Sequence, residues 1–232
     1  SALEDTAWAT KQGNNGTAFA LQVFNAAGCS ASNEDALIRS LLDNQLSSGG
    51  WNINSGSADA DTTAMVVQAL APYYTTNEAV KSAVDKALAY LKSLMNAKGQ
   101  LDNGTDEPSV ETVSQTIVAL CELGVDPASW KTESGVTLLH GLASFYAGNG
   151  FGHVENDGYD QMSTEQGFYT MVAYKRFLDA NATSLYDMTD LKTLHTVEIL
   201  PCENGTITVS KSSAVTGETI TVTVAPDLGY QI

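Results

Sequence analysis

The hydrophobic and polar positions form two alternating kinds of segment along most of the chain. Residues 34–47 and 78–95 carry apolar side chains at helical spacing with one polar face, which predicts amphipathic outer helices. Residues 132–147 show a similar pattern, interrupted by Gly135 and Gly141. The other kind of segment is apolar nearly all round, which predicts inner helices that are contacted on several sides. The predicted inner helices cover residues 17–26, 62–71, 111–123 and 164–178.

The inner segments align as copies of one repeat. Thr17, Thr63, Val113 and Gly167 occupy equivalent positions, which are separated by 46, 50 and 54 residues. A repeat of this length indicates one supersecondary unit that cannot bury its apolar face without its neighbours. We therefore expect a mainly α fold built from helical hairpins, in the order outer helix, glycine turn, loop and inner helix.

The pattern changes towards the C-terminus, where apolar residues begin to alternate. The alternating positions are Val197, Ile199, Ile207, Val209, Ile220, Val222 and Val224. Asn204-Gly205 and Thr216-Gly217 supply turns between them. We predict a helical domain over residues 1–190 and a small antiparallel β module of about three strands over residues 195–232. Since the alternation stops where another strand is expected, we also expect the chain to be a fragment of a longer polypeptide.

Charge and cysteine usage restrict the partners. The chain has 11 basic and 27 acidic residues and a formal net charge of −16, which disfavours nucleic acid and anionic lipid surfaces as partners. It contains no long apolar run that would span a membrane. The three cysteines, Cys29, Cys121 and Cys202, are far apart, so they predict neither a disulfide framework nor a zinc site.

Three segments carry a family resemblance: Gln45-x-x-x-Gly49-x-Trp51, the segment from Asp61 to Leu70, and the stretch from Leu185 to Asp190. They resemble the prenyltransferase and squalene-cyclase repeat family. The resemblance covers about residues 15–190 and implies an α/α toroid, in which inner and outer helices surround a central cavity. This chain has fewer helix pairs than a closed ring of that family, so we expect an open or partial ring.

The C-terminal segment resembles a different group of proteins. Residues 196–230 are similar to the short β repeats of Gram-positive surface proteins, through the Asn204-Gly205-Thr206 turn and the run from Val222 to Tyr230. The resemblance implies a secreted or cell-surface bacterial protein.

One acidic motif suggests catalysis. Asp59-Ala60-Asp61-Thr62 resembles the acid motif of class II terpene cyclases, although Thr62 stands where that motif has its last aspartate. The resemblance implies an acid, Asp59 or Asp61, in a cavity lined by aromatic side chains. The candidates for such a lining are Phe19, Phe24, Tyr73, Phe168 and Tyr169.

Alignment of the repeats offers a simpler explanation of the motif. Asn15, Glu111 and Glu165 align with Asp61, so a polar or acidic residue stands near the start of every inner helix. Such residues cap helix N-termini and complement the helix dipole. We therefore favour a capping role over a catalytic one for Asp59 and Asp61.

Other activities of the related proteins find little support. The inner segments 62–71 and 111–123 contain no Lys or Arg to hold a diphosphate. The Cys202-Glu203-Asn204 run does not match a thioester motif. A zinc site would have to recruit residues without local spacing, from among Asp61, Cys121, His140 and His153. We predict no metal and no cofactor, although the acidic balance leaves open a calcium ion near Asp157 and Asp160.

Two loops that precede inner helices carry candidate ligand-binding residues. Aromatic side chains beside Asn and Asp suit sugar binding, through stacking and hydrogen bonds. The predicted ligand-binding residues are Trp51, Asn52, Asn54, His153, Glu155, Asp157, Tyr159 and Asp160. For Trp51 the alternative is that its ring packs between helix pairs.

The function predicted from these observations is non-catalytic. We expect an adhesion or ligand-binding module of a bacterial surface protein, whose ligand lies in the acidic mouth formed by the inner-helix N-termini and their loops. The expected partner is a glycan, a peptide or a small molecule. The alternatives are a terpene-cyclase-like enzyme that uses Asp59 or Asp61 as its acid, and a corrinoid-binding protein.

Overall fold

The computed structural model describes residues 5–28, 32–103, 107–179, 184–186 and 194–231. Contacts divide the chain into two compact units, Ser1–Asp187 and Met188–Ile232. The first unit is helical and the second is built from β-strands. Cys29, and the part of the predicted closing stretch from Asp187 to Asp190, lie outside the described residues.

Helices account for nearly all regular structure in the first unit. They are α1 (Thr6–Ala9), α2 (Gly13–Ala26), α3 (Glu34–Asp43), α4 (Ala60–Leu70), α5 (Glu78–Ser93), α6 (Val110–Glu122), α7 (Leu138–Ala143) and α8 (Gln161–Leu178). Short 3-10 helices cover Ala71–Tyr73 and Pro127–Ser129. The predicted inner helices are α2, α4, α6 and α8, and the predicted outer helices are α3, α5 and α7.

The third outer helix is shorter than the sequence pattern indicates. A helix was expected over residues 132–147, but α7 covers only Leu138–Ala143. Residues 131–137 form a loop closed by a β-bridge between Lys131 and Thr137, and Gly135 in this loop has a φ of +84°. A residue at positive φ cannot continue a right-handed helix, which explains the later start.

The inner helices pack side by side and run parallel. α2 contacts α4, α4 contacts α6, and α6 contacts α8. The Gln22 Nε2 donates to the carbonyl oxygen of Met65 at 3.3 Å, and the equivalent Gln68 Nε2 donates to that of Gln115 at 3.0 Å. Near the C-terminal ends, Asn25 Nδ2 donates to the carbonyl of Ala69. Side chains that bond backbone carbonyls thus hold α2 to α4 and α4 to α6, whereas α6 is joined to α8 by bonds between side chains, from Gln115 to Gln166 and from Ser163 to Glu111.

The predicted Gln45-x-x-x-Gly49-x-Trp51 motif joins the two layers of helices. The Gln45 Nε2 donates both to the carbonyl of Gly49 and to that of Ala83 in α5, at 2.7 and 2.8 Å. Gly49 has a φ of +94°, and a Cβ there would lie 2.6 Å from the carbonyl oxygen of Lys86. The motif therefore sets how closely α5 approaches the turn that follows α3.

The helix caps correct the alignment of the last repeat. Asp59, Ser109 and Asp160 are the N-caps of α4, α6 and α8, so the structural offset between the last two copies is 51 residues and not 54. The hydroxyl oxygen of Thr63 accepts from the backbone N–H of Trp51, and the hydroxyl oxygen of Thr164 accepts from the backbone N–H of Phe151, both at 2.9 Å. The α8 sequence is thus displaced by three residues from the predicted register.

The second unit contains two separate two-stranded antiparallel sheets. Strand β1 (Leu194–Thr196) pairs with β3 (Ser213–Val215), and β2 (Gly205–Val209) pairs with β4 (Val222–Pro226). The alternation at residues 207–209 and 222–224 predicted β2 and β4. The alternation at Val197 and Ile199 predicted a strand there, but β1 ends at Thr196. Strand β3 was missed because it has only three residues.

Candidate functional site

The N-terminal ends of the inner helices lie at one end of the array because these helices run parallel. Three of them begin with a side-chain cap. The Asp59 carboxylate accepts from the Thr62 N–H at 2.7 Å, and the Asp160 carboxylate accepts from the Ser163 N–H at 2.8 Å. Ser109 caps α6 in the same way. The structure therefore gives Asp59 the capping role that the sequence favoured.

Asp61 has a different environment from Asp59. It is the second residue of α4, and its carboxyl group is largely buried. The pKa of Asp61 is raised from 3.8 to about 6, chiefly by burial and also by the charges of Asp59 and Glu111, although hydrogen bonds from the Thr112 and Asn103 side chains lower it. Its Oδ1 is buried with no hydrogen-bond partner among the described residues. Asp61 is therefore a carboxyl group whose hydrogen-bonding capacity is only partly used.

Glu111 occupies the equivalent position one repeat later, and its oxygens are satisfied. Its Oε1 accepts from the Ser163 hydroxyl at 2.6 Å, and its Oε2 lies 2.7 Å from the His153 Nδ1. The Thr112 side chain bonds Asp61 as the Ser163 side chain bonds Glu111. Each carboxyl group at the second position of an inner helix is thus held by a hydroxyl at the third position of the next.

Two asparagines extend this polar row. Asn15, in α2, is equivalent to Asp61, and Asn103 lies in the loop before α6. The side-chain oxygens of both are buried without a hydrogen-bond partner among the described residues. We call Asn15, Asp61, Asn103 and Glu111 the acidic mouth. Unpaired acceptor oxygens are costly to bury, which makes this end of the array the candidate site.

The structure corrects the predicted role of Trp51. Its side chain is 0% exposed, and its indole N–H donates to the Leu41 carbonyl at 2.6 Å. A ring in that position packs between helix pairs and cannot stack on a ligand. The neighbouring Asn52 donates to the Gly56 carbonyl within its own loop, and Asn54 is exposed.

The second loop with predicted ligand-binding residues contacts the acidic mouth through His153. His153 contacts Glu111, and its backbone carbonyl accepts from the N–H of Val110 at the start of α6. Glu155 instead pairs with Lys98, which lowers the pKa of Glu155. Asp157 and Tyr159 are exposed.

The metal sites considered from the sequence are not assembled. Among the described residues, no group of three His, Cys, Asp or Glu side chains is placed to hold a metal ion. The His140 side chain contacts Thr137 in a capping box at the start of α7. Cys121 packs with Val118 and Leu185, and burial raises the pKa of its thiol to about 12. The carboxylate of Asp160 is occupied in capping α8.

The aromatic residues expected around a cyclase cavity are dispersed. Phe24 packs with Ala9, Ala20 and Leu37 in a cluster of its own. Tyr73 lies against the main core, and its hydroxyl donates to Asn25, whereas Tyr169 packs beside Val118 and Ala173. Phe19 and Phe168 are about half exposed, on α2 and α8, which are the first and last inner helices.

The sequence singled out Asp61 and missed the importance of its neighbours. Glu111 was visible as an aligned acidic position, and the repeat register was the signal that could have placed it beside Asp61 at the inner-helix N-termini. Asn103 gave no signal because it lies in a loop outside the repeated segment. Its closeness to Asp61 depends on how the loop before α6 folds back.

Comparisons with known proteins inform the second unit. No curated protein matches the chain. No helix in the described part of the chain is long and apolar enough to cross a membrane. A family model for a divergent InlB B-repeat domain matches residues 195–232. This match supports the resemblance of the β module to repeats of bacterial surface proteins, and it indicates that the chain includes a module of that kind.

Proposed function

We propose that the helical unit is an open, toroid-like array that binds a ligand at its acidic mouth, as a non-catalytic adhesion or ligand-binding module of a bacterial surface protein. The observation that carries this proposal is the Asp61 carboxyl group. It is largely buried, and one of its oxygens lacks a partner among the described residues.

The buried Asp61 carboxylate destabilises the unliganded protein. A pKa raised from 3.8 to about 6 corresponds to a cost of about 3 kcal/mol for the ionised group at neutral pH. A ligand that donates hydrogen bonds to Asp61, Asn15 and Asn103 would offset part of this cost. The hydroxyl groups of a glycan, the N–H groups of a peptide and an amine all have this chemistry.

A binding role fits the same carboxyl group better than acid catalysis does. Protonation of an alkene requires an acid that is held protonated in an apolar, aromatic-lined cavity. With a pKa of about 6, Asp61 is mostly ionised at pH 7. The polar neighbours Thr112 and Asn103 also hydrogen-bond the charged form.

The raised pKa of Asp61 is nevertheless the observation that favours the second candidate. Below pH 6 the group is mostly protonated, as an acid catalyst must be. A cyclase-like enzyme with Asp61 as its acid would turn over squalene or a related isoprenoid only in mildly acidic solution. Loss of all turnover in Asp61→Asn, with product formed by the native chain at pH 5, would support this alternative.

A thermal-shift screen tests the binding proposal. The panel contains glycans and peptidoglycan fragments, short peptides, squalene, corrinoids and calcium, each added to the native chain, to Asp61→Asn and to Asp157→Asn. Asp157 is exposed, so its variant is the matched loss of one carboxylate. A ligand at 100 times its Kd stabilises the native state by about 2.7 kcal/mol, which is easily seen in Tm.

The expected result is a glycan or peptide that raises the Tm of the native chain and of Asp157→Asn but raises that of Asp61→Asn much less. An equal shift in all three proteins would place the ligand elsewhere and contradict the proposal. If no ligand class raises the Tm of the native chain, that result would also contradict the proposed binding at the acidic mouth.

A further inference from the structure

One continuous face of α4 and α6 leads away from the acidic mouth. Residues that follow one another at intervals of three and four positions lie on the same side of a helix. The two helices adjoin along these sides, because the Gln68 Nε2 donates to the Gln115 Oε1 at 2.9 Å. We call this surface the inner face, and its members are Asp61, Met65, Gln68, Glu111, Gln115, Val118 and Glu122. The inner face therefore extends from the acidic mouth to the last residue of α6.

The chain itself places a peptide segment on the α6 part of the inner face. The backbone N–H of Leu185 donates to the Glu122 Oε1 at 2.7 Å. The Ser184 carbonyl accepts from the Arg176 Nη1 at 3.0 Å. The Leu185 side chain is buried and packs with Val118. A carboxylate that accepts from a backbone N–H, beside an apolar contact, is thus the means by which this face holds polypeptide.

The α4 part of the inner face has acceptors of the same kind without donors. Gln68 occupies the repeat position of Val118, and its side chain is 4% exposed. Its Nε2 is bonded to Gln115, but its Oε1 is buried with no hydrogen-bond partner among the described residues. The same is true of the Asp61 Oδ1 on the same side of the helix. These two positions lie about 10 Å apart along the axis of α4.

We propose that the ligand of the acidic mouth is a peptide segment that lies along the α4 part of the inner face. Its backbone N–H groups donate to the Asp61 Oδ1 and to the Gln68 Oε1, and an apolar side chain packs against Met65 between them. An extended peptide advances about 3.3 Å per residue, so four residues cover the distance. This inference rests on the proposed function and names the class of ligand.

The hydrogen-bonding groups of the face favour a peptide over a glycan. A glycan hydroxyl both donates and accepts, so a row of hydroxyls needs donors as well as acceptors from its site. Among the described residues, the side-chain atoms left unpaired and buried on the α4 part of the inner face are two acceptors. The amide nitrogens of Gln68 and Gln115 are already bonded. A peptide can direct N–H groups towards the face and its carbonyls towards solvent.

Binding displaces one flexible side chain. The Asp61 Oδ1 and the Gln68 Oε1 are covered in the unliganded protein. Met65 lies between them on the same side of α4 and is half-buried. An unbranched thioether side chain adapts to irregular surroundings at little cost. Its movement uncovers both oxygens and leaves an apolar surface for the side chain of the ligand.

Isothermal titration calorimetry of the full chain with a defined probe tests the proposal. The probe is the neutral peptide acetyl-Thr-Ser-Leu-Tyr-amide, which copies residues 183–186 and so includes the segment that the α6 part of the face already holds. The matched control carries an N-methyl group on the leucine nitrogen and lacks that N–H donor. Tri-N-acetylchitotriose represents glycans.

Two substitutions at equivalent repeat positions provide the protein controls. Gln68→Met removes the unpaired Oε1 and keeps the length of the side chain. Gln22→Met makes the same change one repeat earlier, where the Gln22 Nε2 donates to the Met65 carbonyl. Each variant loses a bond between inner helices, and circular dichroism and Tm check that each folds. Asp61→Asn tests whether the peptide reaches the acidic mouth.

We expect the peptide to bind the native chain and Gln22→Met with the same Kd. Gln68→Met should raise this Kd roughly 2–10-fold, the effect of one lost hydrogen bond. N-methylation of the peptide should raise the Kd for the native chain to a similar extent. Asp61→Asn should also raise it, because the acceptor loses its charge.

Equal Kd values for Gln68→Met and Gln22→Met, or for the two peptides, would overturn the proposal. So would peptide binding that Asp61→Asn leaves unchanged. If tri-N-acetylchitotriose binds through Asp61 and the peptide does not bind, the peptide inference fails and the proposed function stands. If neither probe binds, both are contradicted.

Discussion

Asp61 should make the stability of the helical unit depend on pH in an unusual direction. Its pKa in the folded state, about 6, lies above its ordinary value of 3.8, so the folded protein holds this proton more tightly than the unfolded chain does. The free energy that Asp61 contributes to folding is therefore fully present below about pH 4 and is lost as the pH rises through 6. Carboxyl groups that are paired with a cation in the folded state, such as Glu155, have lowered pKa values and act in the opposite direction.

Asp61→Asn isolates this contribution. At pH 7 we expect the variant to be more stable than the native chain by roughly 1–3 kcal/mol, because it removes a desolvated charge. At pH 4 the difference should largely vanish. Denaturant unfolding at both pH values measures it, and Asp157→Asn provides the control for a lost surface charge. A variant that is less stable than the native chain at pH 7 would show that Asp61 is better solvated than its burial indicates.

The two partners of Glu111 should differ in their effect on stability. Ser163 and Glu111 are both buried, so Ser163→Ala leaves the Glu111 Oε1 without its donor. We expect a loss of about 1–3 kcal/mol. His153 is exposed, and water can replace its ring in His153→Ala, so that loss should stay below about 1 kcal/mol. Equal losses in denaturant unfolding would contradict this ordering.

At the level of elements, the turn after α3 depends on a glycine for two separable reasons. Gly49 has a positive φ, and a Cβ there would also lie 2.6 Å from the Lys86 carbonyl oxygen. Gly56 has nearly the same φ, +92°, but no atom lies within 4 Å of a Cβ built on it. Gly56→Ala therefore measures the cost of the backbone conformation alone.

We expect Gly56→Ala to cost about 1–2 kcal/mol, the usual penalty for a left-handed conformation with a Cβ. Gly49→Ala should cost clearly more, because α5 must move away from the turn. Thermal and denaturant unfolding give both values. Equal costs would mean that α5 yields to the added methyl group without loss of packing.

The helices were largely predictable because their apolar pattern is strong. All four inner helices and the first two outer helices occur where the pattern places them, within a few residues. The errors arose where local signals competed. Glu165 was aligned with Asp61, but Asp160 caps α8, so Met162 occupies the equivalent position. The boundaries of α7 were set by a bridged loop that apolar periodicity does not reveal.

For the whole molecule, the sequence analysis expected a site at the inner-helix N-termini but chose loop residues as its ligand-binding members. Repeat alignment brought together Asn15, Asp61 and Glu111, because equivalent positions of parallel helices lie at the same end. It could not show that Oδ1 of Asp61 lacks a donor among the described residues, since that depends on which side chains reach across from the next helix. Trp51 was included because aromatic residues in loops suit glycans, whereas its ring completes the core.

The parallel arrangement of the inner helices has an electrostatic consequence for selectivity. Each helix contributes about half a positive charge at its N-terminus, and α2, α4, α6 and α8 all direct that end to the same side of the array. The aligned dipoles oppose the negative potential of Asp61 and Glu111. In the proposed binding role, the acceptor oxygens of the acidic mouth are combined with a weakened negative potential, so we expect it to prefer neutral molecules with hydrogen-bond donors to multivalent cations.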